Sequence, residues 1–367
     1  MGWTIAFIVI FGIAALIPAV WSVIGLISGN KKFWPGVLGA GWAIALLLVT
    51  FIGIATNWGG CSSTTESNAG SVTCVTGERP SGCNPDVWAL ECRRRSRGCP
   101  PIAAGQFCPS GQRPVFVFCE PIQLGAVKQP WATWSDLSFI AAGLWLMWFF
   151  QYFWRPHSVS TSVTFRSMTA DNPMIHIGWL SVTYGMIVIF MGPPSQWFHA
   201  SMKEWGGWFD SMSVVTWLMF NAIYVLYALV FAMWGNCRGL ARTITVLSVW
   251  GGLLIIFGLI GLEPKARLYL YFISGGLWGL AELIYVFVAA FAKCVVYRRT
   301  WWLFISNLIL LGVTMTIWIF FNDGIVSASA CQDRESFPGH ALFHILASFS
   351  TILTFASFAS EQRVSSS

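Results

Sequence analysis

Three histidines carry the sharpest chemical signal in the chain. His340 and His344 are four residues apart, which on a helix puts both imidazoles on one face, one turn apart, within reach of a single ion. His199 is remote from them in sequence. A third imidazole from another helix completes three ligands and leaves a fourth tetrahedral position for water, the pattern of a catalytic zinc site. Ser195 precedes His199 by four and would share its face; a hydroxyl there can donate to a developing oxyanion. Asp210 follows His199 by eleven, about three helical turns on, and a carboxylate near an activated water can orient it or take its proton. Each residue also has a plainer reading alone. A His pair at a helix start can simply meet an interface, a serine can back-bond to its own helix, and an acid stabilises a helix N-terminus. Of the other two histidines, His157 in a basic loop reads as solvated and His176 as a helix-end residue rather than a ligand.

The elements that must position these groups follow from composition. Hydrophobic types make up 56% of 367 residues, about 206 positions, with 22 Trp and 29 Phe, and charged types only 10%, where a soluble domain carries about 25%. Mean hydropathy is +0.65. A single soluble core stops growing at about 250–300 residues, so the composition excludes a soluble globular protein, a disordered chain and a coiled coil. A membrane span takes about 20 apolar residues. The windows place spans near 3–28, 37–58, 137–154, 176–193, 207–234, 243–262, 268–292, 301–321 and 340–360. The first has no basic lead-in and a much longer apolar run than a signal peptide, so it reads as a helix. The formal net charge of +6 is of the kind that fixes orientation in a membrane, and nucleic acid is not an expected partner.

Residues 59–131, between the second and third spans, are rich in Ser, Thr, Gly, Pro and Arg and hold Cys61, Cys74, Cys83, Cys92, Cys99, Cys108 and Cys119. With nine spans, this loop shares a side with Cys331, while Cys237 and Cys294 fall on the other side. Short segments on that other side hold ten basic residues, Lys31 to Arg363, against four on the cysteine side (Lys203, Lys265, Arg267 and Arg334). Positive charge marks the cytoplasmic face, so the cysteine-rich side is extracytoplasmic or lumenal, where disulfides persist. No C-x2-C pair occurs, so eight cysteines suit up to four disulfides rather than a zinc ribbon. The expected organisation is a two-helix extension over 1–58, a cysteine-rich loop over 59–131 that suits a protein partner, a bundle over 132–360 and a cytoplasmic tail over 361–367. His199, His340 and His344 then share the extracytoplasmic leaflet. Ionisable groups inside a membrane are expensive and tend to be functional. Glu282 therefore needs a partner or a wet cavity, as structure or as a headgroup contact, and Trp197, Trp205 and Trp208 read as interfacial anchors.

The run Ser195-Gln-Trp-Phe-His199, Asp210 eleven residues on, and Gly339-His340-Ala-Leu-Phe-His344 resembles the alkaline ceramidases. These belong to a seven-helix superfamily with the adiponectin/progestin-type receptors and the Per1-like lipid-remodelling proteins. The stretch Gln129-Pro-Trp-Ala-Thr-Trp-Ser-Asp136 is similar to the family's approach to its first core helix. The resemblance covers about residues 119–360, leaving the first two spans and most of the loop outside it. It implies an all-α polytopic membrane protein, a seven-helix core bundle plus two additional N-terminal transmembrane helices. It also implies zinc (Zn2+) on His199, His340 and His344, with Ser195 and Asp210 catalytic. The implied reaction is hydrolysis of the amide bond of a ceramide-like membrane lipid to a sphingoid base and a fatty acid. Family ceramidases also hold calcium (Ca2+) on acids before that helix. Glu120 can match one of them, but Gln129 and Ala132 stand where Glu- or Asn-like ligands are expected, so calcium is kept out of the main expectation. The other readings are a lipid-sensing receptor, a Per1-like phospholipid esterase, or haem between His199 and His340, in which Ser195 and Asp210 would have no part.

Overall fold

The computed structural model describes residues 2–29, 33–56, 116–117, 120–121, 127–153, 172, 174, 178–234, 240–291, 296–321 and 337–364. All ten cysteines, His157 and His176 lie outside them. The chain is built of helices, because in hydrocarbon every backbone polar group must be satisfied within its own segment. They are α1 (Gly2–Ile27), α2 (Trp34–Ala55), a short α3 (Pro130–Ser135), α4 (Leu137–Phe153), α5 (Gly178–Ser201), α6 (Glu204–Trp234), α7 (Leu240–Ile260), α8 (Pro264–Phe291), α9 (Trp301–Phe320) and α10 (Gly339–Ala359). Two antiparallel pairings complete the description, β1 (Phe116–Val117) with β2 (Glu120–Pro121) and β3 (Val296–Arg298) with β4 (Gln362–Val364). Among the described residues nine helices thus stand where nine spans are expected. Six of these, α1, α2, α6, α8, α9 and α10, contain segments long and apolar enough to cross a membrane. The protein is an all-α polytopic membrane protein, and exposed Ile13, Leu16, Leu259, Phe272, Leu283 and Ile309 give it the apolar exterior that lipid requires.

The two N-terminal helices are packed into the bundle. Trp145 Nε1 on α4 donates to the Ala14 carbonyl of α1 at 2.8 Å. Trp197 Nε1 on α5 donates to Thr50 Oγ1 of α2 at 2.8 Å. Ala40, Ala43 and Leu46 of α2 join Met147 and Ile189 in the main core. Because Thr50 and Phe51 lie beside Trp197 and Trp134, the chain leaves α2 and enters α3 at the same end of the bundle. His340 also sits at that end.

The opposite end is closed by buried charge. Pairing of β3 with β4 sets Arg299 beside Glu361, about 30 Å along α10 from His340 at 1.5 Å per residue. Arg299 Nε donates to Glu361 Oε1 at 2.6 Å and its Nη1 to Glu282 Oε2 at 2.5 Å, with the arginine side chain 3% exposed. Tyr224 Oη donates to Glu361 Oε2 at 2.7 Å, and Trp278 Nε1 to Glu282 Oε1 at 3.1 Å. Asn172 Nδ2 donates to the Phe358, Ala359 and Glu361 carbonyls at and just past the end of α10. Glu282 therefore has its partner, and that partner is structural. Removing one member of a buried ion cluster strands the others. Arg299→Ala is expected to destabilise the protein by about 3–5 kcal/mol, read as a lower unfolding midpoint in detergent. Metal content per folded molecule should be unchanged, because the histidines lie at the other end.

Candidate metal centre

The site forms where four segments meet. His199 sits in the last turn of α5, and His340 and His344 in the first turns of α10. One ligand nitrogen from each lies within 4.8 Å of the other two, and all three residues are buried. Ring centroids stand 5.0 Å apart for His199 and His340, 5.1 Å for His199 and His344, and 4.5 Å for His340 and His344. This group can hold a metal ion.

The end of α5 explains how His199 is held. Pro193 and Pro194 have no N–H, so the helix is weakened one turn before the site. A Cβ on Gly192 would come 2.8 Å from the Asp136 carbonyl oxygen, so glycine is what lets α5 meet the junction of α3 and α4. The His199 and Ala200 carbonyls, past the reach of helical donors, accept the Gln129 N–H at 3.0 Å and the Lys128 N–H at 3.1 Å. Met202 then turns the chain with φ 53°, the left-handed cap that ends many helices. Two residues later α6 begins. A Cβ on Gly206 would lie 2.9 Å from Phe198 Cα, so α6 starts in contact with α5 and carries Asp210, one turn on, towards the histidines.

The pairing of Lys128 and Gln129 has a second effect. It places the Gln129 side chain under His199, whose Nδ1 is 2.8 Å from Gln129 Oε1. The same segment runs through α3 to Ser135 and Asp136. His344 Nδ1 lies 2.9 Å from Asp136 Oδ1 and 3.0 Å from Ser135 Oγ. Ser135 gives its own proton to the Ala132 carbonyl at 2.8 Å, so towards His344 it only accepts. Both His199 and His344 thus face acceptors at Nδ1, which puts the proton there and leaves Nε2 as the metal-binding lone pair. The donor set, three buried imidazoles of which two are held by outer partners, fits a divalent metal of the zinc type.

Glu120 anchors the segment. Its carboxylate accepts the Trp131 N–H at 2.7 Å and the Ala132 N–H at 3.0 Å, capping α3. Burial pushes the Glu120 carboxyl up to about 7, against those two backbone hydrogen bonds, which act to lower it. Both of its oxygens are engaged with backbone. Burial likewise raises Asp136 to about 7, opposed by His344 beside it.

Ser195 and Asp210 are both at the site. The Ser195 hydroxyl is close to both the Asp136 and Asp210 carboxyls, and Asp210 is in the field of His344 and Arg267. Ser195 is buried and Asp210 half-buried. The tryptophans do structural work: Trp197 packs edge-on against Phe209 at 5.4 Å, and Trp208 Nε1 donates to the Gly258 carbonyl of α7 at 3.0 Å. Nothing in the sequence alone ties Gln129 or Asp136 to the histidines. The available signal was Asp136 itself, an acid directly before an apolar run, where an unpaired charge is costly.

Alanine at His199, His340 or His344 is expected to abolish stoichiometric metal, measured by elemental analysis of purified protein. Gln129→Ala should retain the site but weaken metal affinity roughly 10- to 100-fold, the usual effect of losing an outer partner. Compared with family models, curated proteins and solved structures, the chain matches none.

Proposed function

We propose that this protein is a zinc-dependent lipid amidase of the alkaline ceramidase type, hydrolysing the amide bond of ceramide-like lipids at the membrane. The observation that carries the reading is the convergence of three buried imidazoles with Ser195 and a half-buried Asp210 at one end of an apolar bundle. His199, His340 and His344 would hold the zinc, which when bound supplies a Lewis acid that polarises a carbonyl and brings a water pKa towards about 7.

The chain's own groups divide the remaining work. Water adds to the amide carbon, and its proton passes to the Asp210 carboxylate, the acid at the site that is not fully enclosed. The Ser195 hydroxyl donates to the carbonyl oxygen as charge develops there. Asp210 then returns the proton to the amine nitrogen as the C–N bond breaks, releasing fatty acid and sphingoid base. We assign this end to the extracytoplasmic or lumenal side, on the distribution of Lys and Arg among the short loops.

Purified protein incubated with ceramides should release both products, whereas fatty acid released from phospholipid esters would point to an esterase instead, and binding without turnover to a receptor. Asp210→Asn is expected to lower kcat roughly 100- to 10,000-fold with little change in KM. Ser195→Ala should lower it roughly 100- to 1,000-fold, with zinc retained in both. Full activity after His340→Ala would refute the proposal.

A further inference from the structure

The acceptors behind two of the histidines differ in charge. His199 leans on a neutral amide, Gln129 Oε1, and His344 on a carboxylate, Asp136 Oδ1. Asp136 is fully buried, and among the described residues no lysine or arginine pairs with it; its neighbours are His344, the Ser195 hydroxyl and a second carboxylate, Asp210. A buried carboxylate in such surroundings is costly unless a cation stands close. The histidine group beside it is a place for a dication.

We infer that Asp136 is a positioning and charge-balancing residue for the metal, supplying with Asp210 the two negative charges that neutralise a divalent ion on three uncharged imidazoles. The inference rests on the metal reading of the site but not on ceramide as substrate. It separates the two acids by placement. Asp210, half-buried, is open to a reacting group, while Asp136, enclosed and 2.9 Å from His344 Nδ1, acts only through the metal and its ligand. Without Asp136 the loaded site would carry an unbalanced positive charge in a low-dielectric interior, and metal affinity would fall.

The molecule supplies the control. Gln129 shows that an amide serves as acceptor for an imidazole N–H here, so Asp136→Asn keeps an acceptor and removes the charge. Gln129→Glu in the Asp136→Asn background then returns one carboxylate to the site, on the other histidine. The measurement is zinc affinity by competition with a chromophoric chelator, on the full-length protein in detergent. Asp136→Asn is expected to weaken zinc roughly 10- to 100-fold, and the double variant to recover most of that loss. Gln129→Glu alone should not tighten zinc, since it adds a charge beyond balance. Zinc-stripped Asp136→Asn should melt no lower than zinc-stripped wild type, because a buried charge has been removed.

An Asp136→Asn protein that binds zinc within twofold of wild type would overturn the inference. So would a weakened variant that the second substitution fails to rescue, or tighter binding by Gln129→Glu alone. Wild-type protein that binds no zinc would sink the metal reading and this inference together. Zinc-bound wild type inactive on ceramide would sink the proposed substrate and leave the inference standing.

Discussion

Two backbone hydrogen bonds, from Lys128 and Gln129 to the carbonyls of Ala200 and His199, are the join on which the centre depends. They satisfy acceptors that the end of α5 leaves open, and in doing so they fix the segment that leads into α3. That segment carries Gln129 to His199 and, seven residues on, Asp136 to His344. Glu120 fastens it again from the other side through the first N–H groups of α3. One short docking thus supplies outer partners to two of three histidines on two different helices. The stretch that ends the cysteine-rich region is therefore part of the site rather than a linker outside it.

The bundle segregates its polar groups at its two ends, and the two ends solve the same problem differently. Away from the histidines, Arg299 lies between Glu282 and Glu361, so the charges meet within the protein and tie α8, α10 and the start of α9 together. At the histidine end, the Asp136 and Asp210 carboxylates and three imidazoles converge, with Glu120 close by and the half-buried Arg267 in the field of Asp210. The first arrangement pairs its charges with groups of the protein and serves the fold. The second suits an ion from outside, and the left-handed Met202 and the contacts at Gly192 and Gly206 hold it in place.

Much of this was legible in the residues alone. Apolar runs of span length dictated the helices, and the i,i+4 spacing of His340 and His344 dictated a shared face, which buried neighbours confirm at 4.5 Å between rings. Ser195, four before His199, reached the site for the same reason of helical period. What the sequence could not display was contact across distance. Gln129 lies 70 residues from His199, and Asp136 lies 208 from His344; no local periodicity encodes either pairing. Glu282 read as a membrane-depth acid in need of a partner, yet Arg299 became that partner only through the β3–β4 pairing. The packing of α1 and α2 was likewise hidden, since Thr50 and Ala14 are ordinary residues in apolar helices until Trp197 and Trp145 find them.

The zinc-edge X-ray absorption spectrum of the purified full-length protein tests the central claim most directly. The account predicts one zinc with three imidazole nitrogens at about 2.0–2.1 Å and one further light-atom ligand. A shell of sulfur at about 2.3 Å, placing the metal on cysteines instead, or protein that retains no zinc, would contradict it.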